Sequence, residues 1–527
     1  MSSKCLAFSV SVLALVGSGA VQAQTADDQR ESADTIIVKG TKRETTLQDA
    51  DVAVTVLGAE TLRNARVTDI RRIDDLAPNV QFNDSSPLGA VYISIRGVES
   101  NPFIVNRAAV YIDGIPFREL SNSVLTQLES VEVLRGPQST LYGANTESGL
   151  IVINTRQPED ELEASGSLTA STFDTGEAYQ ADGFIGGPIV KDVLVGSLAV
   201  RYSDRDYFLE NIGATPQGQG QIEERFVQGR LRWTPTDMLT VNATAYVVDT
   251  DAPGIYRFDG FPVDLDQYNA VYSDGILFDS TNPFSPAPFN GDLRATDFQF
   301  VHDAPKRAEI DEVVAGINAR YELAAGDLDL SLSYRNEDID DRGFDIDGTN
   351  GPFLAGKQIN TTELVNTEIR FTSDTDSPLE YTFGASYYAE EETLVLGSLV
   401  GPGGLNDFNV APEQAVESTD LGLFGSLGYS PLSAPELTVT VGLRYDRAHR
   451  ETTQQAGALD LGFSVFLFDE LELDETFDAF LPRFAVRYEP SDNITLYTNI
   501  AKGYLPGGFN LTAAQDGFQD DVVRYES

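Results

Sequence analysis

From Leu162 onward the chain alternates apolar and polar residues with period two, over segments of about ten residues. Leu328, Leu330, Leu332 and Tyr334 alternate with Asp329, Ser331, Ser333 and Arg335; Leu379, Tyr381, Phe383, Ala385 and Tyr387 with Glu380, Thr382, Gly384 and Ser386; Val439, Val441, Leu443 and Tyr445 with Thr438, Thr440, Gly442, Arg444 and Asp446. Such segments are strands with one apolar and one polar face. A soluble sandwich turns the apolar face inward; a transmembrane antiparallel barrel turns it to lipid and keeps a polar lumen. The connections favour the barrel. Short turns rich in Pro, Asp and Gly at 186–192, 234–237, 322–327, 373–378, 430–435 and 489–493 alternate with longer segments near 205–224, 249–309, 337–362, 390–416 and 448–475. One rim is then short and the other long, as in barrels whose two ends meet different compartments. The pattern predicts about 13 strands, from near Leu162 to near Lys502. No segment after the N-terminus has 18 continuous apolar residues, so a membrane location requires a closed barrel.

The N-terminus reads as a secretory signal over 1–23: Lys4, an apolar Leu6–Val16 core, and small residues at Val21-Gln22-Ala23. The single cysteine, Cys5, precedes that core, so the mature chain is expected to have neither thiol nor disulfide. The formal charge is −46, which repels nucleic acid and excludes that class of partner.

Leu128–Pro158 places two short strands, Ser130–Leu134 and Leu150–Asn154, around a turn punctuated by Gly136, Gly143 and Gly149. This stretch resembles the end of the plug domain of TonB-dependent outer-membrane receptors. ISIRGV at 93–98 and VYIDGIPF at 110–117 resemble the earlier plug signatures, in the right order. Glu147-Ser148-Gly149 stands where the family often carries a glycine pair. The resemblance implies a mainly β fold: an N-terminal α+β plug, 41–158, inside a transmembrane barrel, 159–527, whose full form has 22 strands. AKGYLPGGFN at 501–510 resembles a motif about two-thirds along such a barrel, so the chain reads as C-terminally truncated, about eight strands short.

Several residues take a role from the same resemblance. DTIIVKG at 34–40, in the 24–40 segment, resembles the TonB box. Asp34, Thr35, Ile36, Ile37 and Val38 would add as a strand to the periplasmic energy-coupling protein TonB. Arg96 and Arg135 would lock the plug against acidic groups on the barrel wall. Within the plug, Val52–Leu57 reads as a strand, Thr68 as the N-cap of a short helix through Asp75, and Asp113-Gly114 as a hairpin turn without chemistry.

No hydrolase, phosphate-loop or zinc motif is present, so the chain reads as a non-enzyme without cofactor or metal site. The plug has no histidine, which disfavours haem; His302 and His449 fall in or beside long connections. The expected ligand-contacting loop is 249–308, with Tyr256, Phe258, Phe261, Tyr268 and Tyr272, because aromatic faces suit flat or amphipathic solutes. Self-packing of that loop over the barrel mouth is the equal alternative. The resemblance to TonB-dependent receptors implies that Asn101, Phe103 and Arg107 lie at the plug apex. The function implied is energy-coupled import across the outer membrane of a Gram-negative bacterium. The first expected solute is a ferric siderophore; a carbohydrate, cobalamin or another small organic molecule follows. A surface-binding protein without transport, or a non-functional fragment, is the reading from another class.

Overall fold

The computed structural model describes residues 37–43, 45–65, 67, 70–84, 91–100, 106–117, 126–173, 176–207, 210–211, 220–252, 299–300, 307–345, 354–374, 377–400, 409–460, 465–491, 494–509 and 524–525. The N-terminal part begins with a two-strand hairpin, β1 (Ile37–Val38) and β2 (Thr45–Thr46). There follow β3 (Ala53–Gly58), α1 (Ala59–Asn64), β4 (Val80–Asp84), β5 (Val91–Ile95) and β6 (Val98–Glu99). The rest is β7 (Ala108–Ile112), β8 (Ile115–Phe117), β9 (Leu128–Arg135), α2 (Ser139–Tyr142) and β10 (Gly149–Thr155). Five strands form one mixed sheet, β3-β9-β10-β7-β8, in which only β10 and β7 run parallel. Strands β4, β5 and β6 form a small second sheet. Both strands expected beside the glycine-rich turn are present and one or two residues longer at each end. The hairpin at Asp113-Gly114 has positive φ at both residues, 52° and 84°, which the right-handed twist of its strands requires.

The wall follows: β11 (Glu163–Phe173), β12 (Gly176–Val190), β13 (Leu194–Arg205), β14 (Ile222–Thr236), β15 (Leu239–Asp251), β16 (Arg307–Leu323) and β17 (Gly326–Asp345). It continues with β18 (Leu354–Ser373), β19 (Leu379–Val400), β20 (Gln414–Tyr429), β21 (Leu437–Gln454), β22 (Leu471–Ser491) and β23 (Ile494–Ala501). Each pairs antiparallel with the next. The path thus holds 13 strands, as the alternation predicts, and β11 and β23 are its ends among the described residues.

Side-chain exposure decides between the two architectures. On β17, Leu330 and Leu332 are 49% and 48% exposed, while Asp329 and Ser333 are each 5% exposed. Leu421, Leu423, Val441, Leu443 and Phe480 also face outward. An apolar outside and a polar inside is the inverse of a sandwich and the arrangement that lipid demands. Inward-facing Phe184, Phe226, Tyr246 and Val314 join Ile115, Phe117, Val131 and Ile153 of the plug in one buried cluster, so plug and wall share a core.

Three expectations change. The helix over Thr68–Asp75 is replaced by α1 upstream and a 3₁₀ turn at Ile70–Ile73; Thr68 lies outside the described residues. The long connections are shorter than the hydrophobic pattern suggests: β17 runs to Asp345 and β19 to Val400. Backbone pairing continues where both faces of a strand are wet, and period-two hydrophobicity there has no cause. His449 consequently lies within β21, while His302 lies outside the described residues. The strict alternation also has an exception, since only residues 174–175 separate β11 from β12.

Candidate functional site

The segment after β1 turns under the plug sheet and is held there by one carboxylate. Glu132, on β9, is wholly buried. It accepts from the backbone N–H of Lys39 at 3.0 Å and of Gly40 at 2.8 Å, and from the Asn154 side chain at 3.2 Å. Burial pushes its pKa up, and these N–H groups oppose that shift. Gly40 fits because it has no side chain: a Cβ there would lie 2.7 Å from Leu134 and 3.2 Å from Val152. Two residues on, the Lys42 ammonium pairs with Glu368 of β18 and lies 4.5 Å and 4.9 Å from the ring centres of Tyr142 and Phe424. Burial lowers the Lys42 pKa from its ordinary 10.5 to about 8; Glu368 opposes the shift and Arg370 and Arg444 add to it. Arg43 reaches Glu380 at 2.6 Å, beside the short turn between β18 and β19. Residues 39–43 therefore form a strap from plug to wall at the short-turn rim.

Further ion pairs seat the plug, mostly with the arginine on the wall. Arg230 of β14 pairs with Asp113 at the tip of the β7–β8 hairpin, where Asp113 also accepts from the Thr155 N–H at 2.9 Å. Arg483 pairs with Asp51, and Arg487 donates to the Asp49 carbonyl. Arg335, held by Glu312 and Glu337 at 2.5 Å and 2.6 Å, lies 5.0 Å from the ring centre of Phe117. After β23 the chain turns inward onto α2: the Tyr504 N–H donates to Ser139 at 3.0 Å, and the Asn145 N–H to the Tyr504 carbonyl at 3.1 Å.

Between plug and wall lies a cavity of about 1230 Å³. It reaches from Lys42, Arg43, Ser373 and Asp374 at the short-turn rim toward Gln414 and Thr452, near the ends of strands that lead to long connections. Its walls are mixed: apolar Val110, Ile115, Phe117 and Leu332 stand beside charged Asp329, Arg370, Asp420 and Arg450. Among the described residues no cluster of three or more His, Cys, Asp or Glu is placed to hold a metal ion.

Residues 245–522 match the model of the TonB-dependent receptor-like β-barrel, and residues 46–150 that of the TonB-dependent receptor plug domain. The chain belongs to the TonB-dependent receptor family. Among curated relatives, the pesticin receptor of Yersinia pestis is 30% identical over 217 residues, 40% of this chain and 32% of that protein. The ferrioxamine B receptor of Salmonella typhimurium is 26% identical over 232 residues, 41% of this chain and 30% of that protein. These matches span about a third of each relative's length. The crystal structure of the ferric yersiniabactin uptake receptor from Yersinia pestis shares the fold, with TM-score 0.69 and 20% identity, over 88% of this chain and 66% of that one. The TonB-dependent receptor's barrel is of the outer-membrane type, and the protein resides in the outer membrane of a Gram-negative bacterium.

Of the residues singled out in sequence, Ile37 and Val38 form β1, paired with Thr46 and Thr45, Ile37 being 40% exposed and Val38 buried. Asp34, Thr35 and Ile36 lie outside the described residues, as do Asn101, Phe103, Tyr256, Phe258, Phe261, Tyr268 and Tyr272. Arg107 is exposed, 3.6 Å from Glu147. Arg135 donates to Thr55 inside the plug sheet, and the Arg96 guanidinium lies 3.6 Å from where a Cβ of Gly136 would be. Burial, and then Arg96, hold the Arg135 pKa below its ordinary value. Plug–wall pairs among the described residues include those of Lys42, Arg43, Asp51, Asp113 and Arg156. Sequence reading passed over these. One signal was available: Glu132 is a lone carboxylate inside the apolar run VEVL, and such a residue is buried only with a dedicated partner.

Proposed function

We propose that this chain is the plug and part of the barrel of an energy-coupled importer that carries a ferric siderophore into the periplasm. The observation that carries this reading is a plug seated against the inner face of the wall through separable ion pairs, beside a cavity of about 1230 Å³ with a mixed polar and apolar lining. The cargo class is supported by relatives whose names specify ferrioxamine B and ferric yersiniabactin. On this reading 34–40 is the TonB box, 41–158 the plug and 159–527 the barrel part, following a cleaved signal at 1–23. Arg96 and Arg135 contribute to the plug lock, and the loop bearing Tyr256, Phe258, Phe261, Tyr268 and Tyr272 meets solute together with Asn101, Phe103 and Arg107. The test is growth of an iron-starved deletion strain, complemented with the full gene, on a panel of ferric hydroxamates, catecholates and carboxylates. TonB-dependent rescue by one chelate class is expected. Rescue by none, with growth on an oligosaccharide or cobalamin instead, reassigns the cargo.

A further inference from the structure

We propose that the cavity between plug and wall selects its solute by charge. It takes an uncharged or cationic iron chelate whose surface offers amide and hydroxamate groups, the trihydroxamate class, and rejects polyanionic catecholate or carboxylate complexes. The proposal rests on the importer reading and narrows the cargo within it. Fe(III) held by hydroxamate monoanions is a neutral complex, whereas catecholate dianions leave it polyanionic.

No cation on the described lining is left for an anion to claim. Nine Lys and Arg side chains line the cavity, and each is paired with a carboxylate. Nine Asp and Glu line it as well, and four of the cations, Lys39, Arg43, Arg232 and Arg444, are held by carboxylates outside the lining. Among the described residues the wall with its partners is therefore net acidic. Two of the arginines are held twice. Arg370 donates to Asp329 at 3.0 Å and to Glu368 at 3.0 Å, and Arg450 meets both oxygens of Asp420, at 2.6 Å and 3.2 Å. The Arg450 and Asp420 side chains are only 12% and 13% exposed, so a polyanion that took Arg450 would strand a confined carboxylate. The chain's charge of −46 opposes the approach of an anion as well. Neutral groups are available instead. Thr244 of β15, Ser333 of β17, Asn366 of β18 and Tyr388 of β19 line the cavity at one height across the wall. The Thr244 and Ser333 hydroxyls are buried without a protein partner, so each has a hydrogen bond to give. Amide and hydroxamate oxygens accept such bonds with no ion pair broken. The volume, about 1230 Å³, exceeds the roughly 300–1,000 Å³ of ordinary small-molecule sites.

The test varies charge at constant size, in outer-membrane fragments carrying the full-length protein. Radiolabelled ferric complexes of a linear trihydroxamate and a linear tricatecholate are bound at low temperature. The trihydroxamate is expected to bind about tenfold tighter or more, with an affinity that added salt leaves unchanged. A second readout needs no cargo. Asn366→Cys is placed in the full-length protein, whose Cys5 falls in the expected signal segment. It is labelled with a cationic trimethylammonium or an anionic sulfonate methanethiosulfonate, each rate being divided by the rate with a free thiol. The cationic reagent is expected to react about tenfold faster. Asp420→Asn leaves Arg450 unpaired and should raise the anionic rate about fivefold. Asp420→Asn with Arg450→Gln strands no cation and should keep the anionic rate near that of the parent. Tighter binding of the tricatecholate, or an anionic rate equal to or above the cationic one, overturns the proposal. Preferential binding of the trihydroxamate without energised uptake would uphold it and count against the importer reading alone.

Discussion

The Gly40 backbone N–H donates to the buried Glu132 carboxylate at 2.8 Å, across 92 residues of sequence. Glu132→Ala leaves the N–H groups of Lys39 and Gly40 without an acceptor, each at a cost of about 1–3 kcal/mol. Gly40→Val forces side-chain atoms into Leu134 and Val152, with a cost of about 1–3 kcal/mol from overpacking. Both are expected to release the strap while the five-stranded sheet stays folded. Amide hydrogen exchange checks this: protection should fall at 39–43 and persist in β9 and β10.

Strand addition to the energy-coupling protein needs an extended backbone with free N–H groups. Proline removes one and fixes φ, so Ile37→Pro is expected to abolish energised uptake, whereas Ile37→Ala keeps most of it. Surface binding of the solute, measured at low temperature in the same cells, should be unchanged in both. Normal import by Ile37→Pro would remove residues 34–38 from the coupling role.

Asp113→Ala leaves Arg230 buried without its carboxylate, a loss of about 3–5 kcal/mol in plug seating. The variant is expected to let large antibiotics leak through the outer membrane. Arg230→Met combined with Asp113→Ala should leak less than the single variant, because no uncompensated charge remains. Arg96→Ala and Arg135→Ala are expected to leak as well; unchanged antibiotic sensitivity in both excludes them from the lock.

Deleting 256–289 is expected to abolish solute binding and leave barrel assembly intact, seen as heat-modifiable mobility on gels. Retained affinity moves the site to the plug apex or the cavity.

Lys42 faces Glu368 and Arg370 from β18, Arg444 from β21 and Tyr142 from α2. Its pKa is about 8 when seated and near the ordinary 10.5 when released. Between those values the released strap binds more protons, so seating strengthens as pH rises from about 8 to about 10.5 and is weakest below 8. The urea midpoint for strap release, followed by a fluorophore on Ile37→Cys, should rise from pH 7 to pH 9.5. Lys42→Met should flatten that rise.

The sequence by itself determined the wall. Alternation along Leu328–Arg335 and turns such as 322–327 are local, and a strand's two faces are written into neighbouring residues, so strand number and rim assignment could be read directly. The plug was legible through glycine positions and the Asp113-Gly114 turn, where backbone geometry restricts residue choice. Whether the apolar face turned outward or into a core was decided by the plug packing against the other face of the wall, a contact between distant parts of the chain. The strap was decided there too. Lys42 and Glu368 are 326 residues apart, Asp113 and Arg230 117, and Arg483 and Asp51 432. A charged residue on a polar face looks the same in sequence whether it meets water or a distant partner, because the partner is supplied only when the wall curves round to bring it within reach.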